Sequence, residues 1–237
     1  MNGIIDFHTH ILPEVDDGSD SLETSIAMLR AEASQGIRRV VATPHFYAQH
    51  DTPERFLARR TEAELRLREE MAKHPGLPEL SIGAEVYYFP GVSNSDILSA
   101  LTIDKKRCII IEMPLPPWTD RMYRELEDIY TKQGLTPIIA HVDRYIAPFH
   151  THRIPQRLQD LPVLVQANAD FFLHRSTKRM ALRMLREEQI HLLGSDCHNL
   201  TDRRPNLGDA VKVISQNLRP DILERIHFCE NEVLCIE

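Results

Sequence analysis

Two histidines one residue apart, His8 and His10, follow a short apolar run at residues 4–7 and are themselves followed by the paired carboxylates of Asp16 and Asp17. In an extended segment the side chains of positions i and i+2 point to the same side. Both imidazoles can therefore converge on one ion. Residues of the same kind recur later: His45 after the run 37–43, Glu85 within 80–88, Glu112 at the end of 108–112, His141 after 136–140, and Asp196 and His198 after 191–194. Imidazoles and carboxylates with no required thiolate suit Mn²⁺, Fe²⁺ or Zn²⁺ rather than a cysteine-rich structural zinc site. So many ligands exceed what one ion needs, which points to two or three ions sharing a bridging carboxylate, an arrangement suited to phosphoester hydrolysis. Arg144 and Arg203 stand three and five residues beyond His141 and His198. Planar guanidinium groups at such places suit bidentate contact with phosphate oxygens.

The elements that must position these residues alternate between strand and helix. Strands are expected at 4–7, 37–43, 80–88, 108–112, 136–140, 163–167 and 191–194, the fourth so apolar that it should be buried on both faces of a parallel sheet. Helices are expected at about 22–35, 53–74, 120–132, 155–161, 176–188, 207–217 and 220–226, from apolar residues at helical spacing and from breaks such as Gly36, Pro75-Gly76 and Gly134. No glycine-rich phosphate loop follows the first strand and no compositional boundary divides the chain, which favours a distorted seven-stranded (β/α) barrel over an open doubly wound sheet. The expectation is one α/β domain over residues 1–237. Active sites of such barrels lie at the C-terminal strand ends. The candidate ligands fall there in nearly every unit, whereas a structural role would scatter them over both ends and the helix faces.

Composition narrows the partners. The 237 residues carry 28 Lys+Arg against 35 Asp+Glu, a net charge of -7, with no basic block beyond dispersed arginines and a basic helix near 176–188. That argues against nucleic-acid binding while leaving room for a local phosphate pocket. Cys108, Cys197, Cys229 and Cys235 have neither metal-site nor disulfide-scaffold spacing, and no signal segment or membrane-length apolar run occurs. A cytoplasmic protein without direct membrane insertion is expected.

Asp6-Phe7-His8-Thr9-His10-Ile11-Leu12-Pro13, Asp16-Asp17-Gly18, Ala42-Thr43-Pro44-His45, Gly83-Ala84-Glu85, Ile111-Glu112, Ala140-His141-Val142-Asp143-Arg144 and Ser195-Asp196-Cys197-His198-Asn199 together resemble the PHP (polymerase and histidinol phosphatase) superfamily. Within it they are similar to the bacterial manganese-dependent protein-tyrosine phosphatases of capsular and exopolysaccharide operons. Asp17 and Glu112 carry that narrower likeness. The resemblance implies one metal on His8, His10, Glu85 and Asp196, a second on Glu85, Glu112 and His141, and a third on Asp17, His45 and His198, with Glu85 bridging. It further implies Mn²⁺, two or three ions per chain, phosphate held by Arg144 and Arg203, and a substrate in the phosphotyrosine tail of a cognate tyrosine kinase. The alternative is a PHP phosphoesterase acting on a small phosphate such as histidinol phosphate. A decayed, non-catalytic barrel is disfavoured by the intact ligand set. An amidohydrolase is disfavoured because no strand end carries a lysine.

Cys197 and Arg203 also stand at Cys-x5-Arg spacing, but the loop between them lacks glycine and contains Asp202, so a cysteine-phosphatase reading is disfavoured. Cys197 is expected to pack. Phe46 and Tyr47 are read as plugs under the helix starting at Pro53 in preference to a stacking surface for a phosphotyrosine ring. His50, His150, His152 and His174 are expected to be non-ligands. Asp16 is expected to be a loop residue or a support for a ligand, and Asn168 and Asp170 are expected, on balance, to lie outside the site.

Overall fold

The computed structural model describes residues 4–149 and 153–235, so the expectation for His150 and His152 falls outside the described residues. The first half runs β1 (Ile4–Thr9), α1 (Leu22–Ser34), β2 (Ile37–Ala42), β3 (His45–Phe46), α2 (Pro53–Met71), β4 (Glu79–Ile82), β5 (Glu85–Tyr87), α3 (Leu98–Leu101) and β6 (Cys108–Glu112). The second runs α4 (Asp120–Gln133), β7 (Thr136–Ile139), α5 (Asp143–Ile146), α6 (Arg153–Gln159), β8 (Leu164–Asn168), α7 (Ala169–Leu173), α8 (Lys178–Arg186), β9 (Leu192–Gly194), α9 (Leu207–Asn217) and α10 (Pro220–Leu234).

One of the seven expected strands is broken in two, and another is followed beyond Pro44 by a further short strand. The run 37–43 stops at Thr43-Pro44 and resumes as β3, because Pro44 has no N–H to continue the ladder. The run 80–88 breaks at Gly83-Ala84 into β4 and β5. Pairing nevertheless carries across both breaks: Gly83 N–H donates to Ala42 O (2.8 Å) and Glu85 N–H to Pro44 O (3.0 Å). The strands are parallel, in the orders β1-β2-β4 and β3-β5-β6-β7-β8-β9. Asp196 N–H to His8 O (2.8 Å) and His10 N–H to Cys197 O (2.9 Å) then join the last strand end to the first and curl the sheet into a distorted barrel.

Helix starts follow the capping residues. Ser21 Oγ accepts from Thr24 N–H (3.1 Å) at the head of α1, and Thr52 and Thr119 cap α2 and α4. The final helix is longer than expected and extends through Val233 and Leu234, which join Ile5, Phe7, Val41, Cys108, Ile110, Ile138 and Leu192 in one apolar cluster. Ile109 and Ile111, alternating with Cys108 and Ile110, enter a second and larger cluster with residues of the surrounding helices. β6 is thus covered on both faces. Full burial of an isoleucine or phenylalanine contributes about 1.5–3 kcal/mol, so the strands are anchored on both sides while their C-terminal ends carry polar groups.

Candidate metal centre

Strand register brings the expected ligands to one level. His45 lies opposite Glu85 across β3 and β5, and Glu112 opposite Tyr87 across β5 and β6. At the last strand, a Cβ added to Gly194 would stand 2.6 Å from His8 Cβ, so only glycine lets β9 approach β1 this closely. Gly18 does the same for the Asp16-Asp17 loop, where an added Cβ would meet His10 O at 2.2 Å. His141 and Asp196, just past their strands, sit at φ +31° and +56°. A side-chain-bearing residue in the left-handed region costs roughly 1–2 kcal/mol, and strain of this kind persists where the surroundings enforce it. Here the Asp196 N–H bond to His8 O and a 2.6 Å bond from His141 N–H to Gln166 Oε1 do so.

All nine expected ligands lie in one cluster. His8 Nε2 and His10 Nε2 are 3.1 Å apart, and Glu85 Oε2 is 3.2 and 3.3 Å from them. Asp196 Oδ1 stands 3.7 and 3.4 Å from the same two nitrogens. Glu85 Oε1 faces His141 Nε2 at 2.8 Å, and Glu112 Oε1 is 3.5 Å from that nitrogen. His45 faces two ways: Nδ1 is 2.9 Å from Glu85 Oε2 and 3.8 Å from Glu112 Oε2, while Nε2 is 3.6 Å from Asp17 Oδ1. His198 Nε2 lies 3.5 Å from the same Asp17 oxygen. Ligand atoms about 2.0–2.2 Å from an ion stand roughly 2.8–3.6 Å from one another in tetrahedral or octahedral arrangements, and most of these separations fall in that range. Three ligand groups are close enough to hold an ion: His8, His10 and Glu85; His45, Glu85 and Glu112; and His10, Asp17, His45 and His198.

The donor atoms are also left without ordinary partners. Glu85 Oε2, Glu112 Oε2, His45 Nδ1 and His198 Nε2 are buried and make no hydrogen bond among the described residues. Leaving buried polar atoms unpaired is costly, but these lone pairs face a shared space. That is the arrangement divalent cations require, so the residues present fit a metal cluster. The charges agree. Although burial opposes ionisation, the charge of His8 and the close imidazoles of His10, His141 and His45 hold the Glu85 carboxyl well below the usual carboxylate range. Against the same burial, Asp16 raises the His10 imidazole well above its ordinary value. Glu112 is pushed up to about 7, by burial and then by Glu85, and His198 down to about 4, by burial and then by His10. The cluster thus gathers carboxylate charge that bound cations would offset.

A ring of supports orients the imidazoles. Asp16 is a support: it accepts from His10 Nδ1 (2.7 Å), His45 N–H (2.9 Å) and Gly18 N–H (3.0 Å). Gln166 was not singled out from sequence. It lies fully buried in β8, with Oε1 3.3 Å from His8 Nδ1 and Nε2 donating to Asn168 Oδ1 (3.1 Å). Asn168 in turn donates to Asp196 Oδ2 (2.9 Å), which corrects its expected place outside the site, while Asp170 accepts from Asn206 Nδ2 (2.7 Å) at the wall of the cavity beside Asp196. His198 Nδ1 lies 3.0 Å from Asp196 O. With Nδ1 hydrogen-bonded in each ring, Nε2 of His8, His10 and His198 is left for an ion. The signal for Gln166 was present: an amide inside a buried apolar strand requires partners.

Arg144 and Arg203 converge on opposite oxygens of Asp196, Arg203 Nη2 at 2.7 Å from Oδ1 and Arg144 Nη2 on Oδ2. Both border a cavity of about 300 Å³ that also takes in His174, Thr177 and Arg204. Phe46 and Tyr47 part company. Phe46, 1% exposed, packs 5.1 Å from Phe56 under α2, as expected of a plug. Tyr47 is half-buried between His45 (5.2 Å) and Tyr87 (5.5 Å) at the cluster's edge, and burial together with Glu112 and Glu85 keeps its phenol protonated. Cys197 points away from the site, its Sγ 3.8 Å from Glu32 Oε1, and burial followed by Glu32 and Asp6 drives the thiol pKa well up. The N–H groups of His198 and Asn199 are bonded to Arg203 O (2.8 and 3.2 Å), so they do not form a phosphate-binding loop.

Over residues 4–237 the chain matches the family model for capsular polysaccharide synthesis, CpsB/CapC. It is 28% identical over 244 residues to the tyrosine-protein phosphatase CpsB of Streptococcus agalactiae serotype V, covering 96% of both chains. It is 30% identical over 223 residues to the tyrosine-protein phosphatase CpsB of Streptococcus pneumoniae, covering 90% of both. Among solved structures it superimposes on one from a study of YwqE from Bacillus subtilis and CpsB from Streptococcus pneumoniae, described as metal-dependent tyrosine phosphatases. The TM-score is 0.85 at 24% identity, over 99% of this chain and 95% of that one. A phosphotriesterase homology protein from Escherichia coli, with phosphate in its active site, aligns at a TM-score of 0.54 and 13% identity. These structural likenesses establish the barrel fold, and the sequence matches establish that the chain belongs to the CpsB/CapC family of capsular polysaccharide synthesis.

Proposed function

We propose that this chain is a metal-dependent protein-tyrosine phosphatase acting in the cytoplasm on the phosphotyrosine tail of a bacterial tyrosine kinase that governs polysaccharide synthesis. The observation that carries the reading is the convergence of unpartnered imidazole and carboxylate atoms on a shared space beside two arginines. His8, His10, Glu85 and Asp196 would hold one ion, Glu85, Glu112 and His141 a second, and Asp17, His45 and His198 a third, with His45 also facing the second. Mn²⁺ is the favoured metal, and the donor set equally suits Fe²⁺ or Zn²⁺. Bound there, such ions lower the pKa of a water and take up charge on phosphoryl oxygens.

The chain's own residues would do the rest. Arg144 and Arg203 hold the phosphate by charge-assisted bonds that strengthen as charge develops. Tyr47, at the edge of the cluster, offers its face to the aryl ring of the substrate. The leaving phenolate has an ordinary pKa of about 10, so its departure demands less of a general acid than a serine alkoxide would. Gln166 and Asp16 keep His8 and His10 in the tautomer that presents Nε2.

The test is elemental analysis of the purified protein with turnover measured on phosphotyrosine peptide, phosphoserine peptide and histidinol phosphate. EDTA should abolish turnover and Mn²⁺ restore it, with phosphotyrosine preferred. Activity that survives chelation but dies in Cys197→Ser would overturn the metal reading, and preference for histidinol phosphate would move the substrate to a small phosphate ester.

A further inference from the structure

Helix α8 carries a cationic surface outside the cluster. Arg179, Arg183 and Arg186 fall at i, i+4 and i+7 and so share one helix face, while Ala181, Met184 and Leu185 are buried. The three arginines line a groove of about 700 Å³ with Ser176, Met180 and Leu218. In a chain of net charge -7, cations elsewhere are commonly paired, as in Arg68–Glu64 (2.8 Å), Lys132–Asp128 (2.8 Å) and Arg225–Glu188 (2.9 Å). The guanidinium groups of Arg179, Arg183 and Arg186, and of Arg204 in the neighbouring cavity, make no ion pair or hydrogen bond among the described residues. Like charges one turn apart destabilise a helix. An anion from outside the chain removes that cost.

Consecutive residues of the chain link the groove to the cavity beside the cluster. His174 and Thr177 line the cavity that holds Arg144 and Arg203, and Ser176, between them in sequence, lines the groove. We propose that the groove binds an extended anionic segment of the polypeptide substrate, flanking the phosphotyrosine held at Arg144 and Arg203. This rests on the phosphatase reading above. From Arg179 to Arg186 the helix rises about 10 Å, the length of roughly three extended residues, so the segment presents about three carboxylates or further phosphates in succession. The apolar stems of Met180 and Leu218 give the backbone or an aromatic side chain a floor between the charges.

The test uses the full chain loaded with Mn²⁺ and three phosphotyrosine peptides: one with neutral flanks, one flanked by glutamates, and one carrying a second phosphotyrosine in the flank. Turnover and direct binding by fluorescence anisotropy are measured for the wild type, for Arg179→Glu/Arg183→Glu and, should the reversal fail to fold, for Arg179→Gln/Arg183→Gln. Exposed ion pairs are individually weak, so the expected gain from an anionic flank is about five- to ten-fold in kcat/KM. It should shrink as salt rises from roughly 0.05 to 0.3 M and disappear in the variants, with turnover of the neutral peptide unchanged. The larger of the glutamate and phosphate gains identifies the source of the anion. A flank preference that is absent in the wild type, or that persists in the variants, overturns the proposal. So does arginine-dependent sedimentation with phosphatidylserine vesicles in the absence of any flank preference. If no peptide is turned over but anionic peptides still bind in an Arg179- and Arg183-dependent way, the phosphatase reading falls and the groove stands.

Discussion

Replacing Gln166 by leucine tests whether the buried amide organises the cluster. Its Oε1 receives the His141 N–H at 2.6 Å and faces His8 Nδ1 at 3.3 Å, and its Nε2 serves Asn168 at 3.1 Å. Gln166→Leu keeps roughly the same volume and removes every one of these contacts. Two buried donors are then left unpaired, at about 1–3 kcal/mol each, while the added apolar burial returns about 1–2 kcal/mol. The net loss for the metal-free protein is about 1–4 kcal/mol, or roughly 2–16 °C in Tm for a chain of this size. The effect on metal binding is separate. His8 loses the acceptor that fixes its Nδ1–H tautomer, and losses of such supports typically cost about 10–100-fold in affinity. Thermal melts in EDTA read the first effect and isothermal titration with Mn²⁺ reads the second. A Gln166→Leu protein that binds Mn²⁺ with wild-type affinity and stoichiometry would refute the claim that this amide orients His8, however far its Tm had fallen.

Arg144→Ala should lower kcat/KM on a phosphotyrosine peptide by about 10–100-fold, the loss of one charge-assisted bond, with bound metal unchanged. An unaltered rate would return Arg144 to the ordinary surface. A pH effect is expected at the opposite end of the barrel, where burial pushes the Glu230 carboxyl up to about 8 against the Ile5 N–H and Arg38. From the usual carboxylate range up to about pH 8 the folded state therefore holds a proton that the unfolded chain lacks, so Glu230 makes stability fall as pH rises through that window and contributes no further slope above it. A shift of this size corresponds to at most about 5 kcal/mol. Glu230→Gln should thus gain on the wild type progressively between pH 5 and 8 in thermal melts, and parallel curves would rule the effect out.

The ligand positions could be read in sequence because each follows a strand: one apolar run ends, and a histidine or carboxylate stands at the end that a parallel barrel turns toward its active site. The supports were hidden for a related reason. Gln166 lies inside a strand that reads as core, and only the demand that a buried amide find partners marks it. The break at Gly83-Ala84 and the short strand that resumes beyond Pro44 were hidden as well, and they matter most for the site's geometry. His45 and Glu85 each begin a new short strand after a break, at Thr43-Pro44 and at Gly83-Ala84. Their register then sets them opposite each other, with His45 Nδ1 2.9 Å from Glu85 Oε2 and its Nε2 turned toward Asp17. Strict period-two alternation along unbroken strands would assign each side chain to one face by counting back to the core residues before it. A proline that interrupts the ladder frees the following residue from that count. His45 can therefore stand between ligand groups that sequence spacing alone keeps apart, and the same proline that disrupts the strand brings the aspartate loop after His10 and the carboxylates of β5 and β6 around one imidazole.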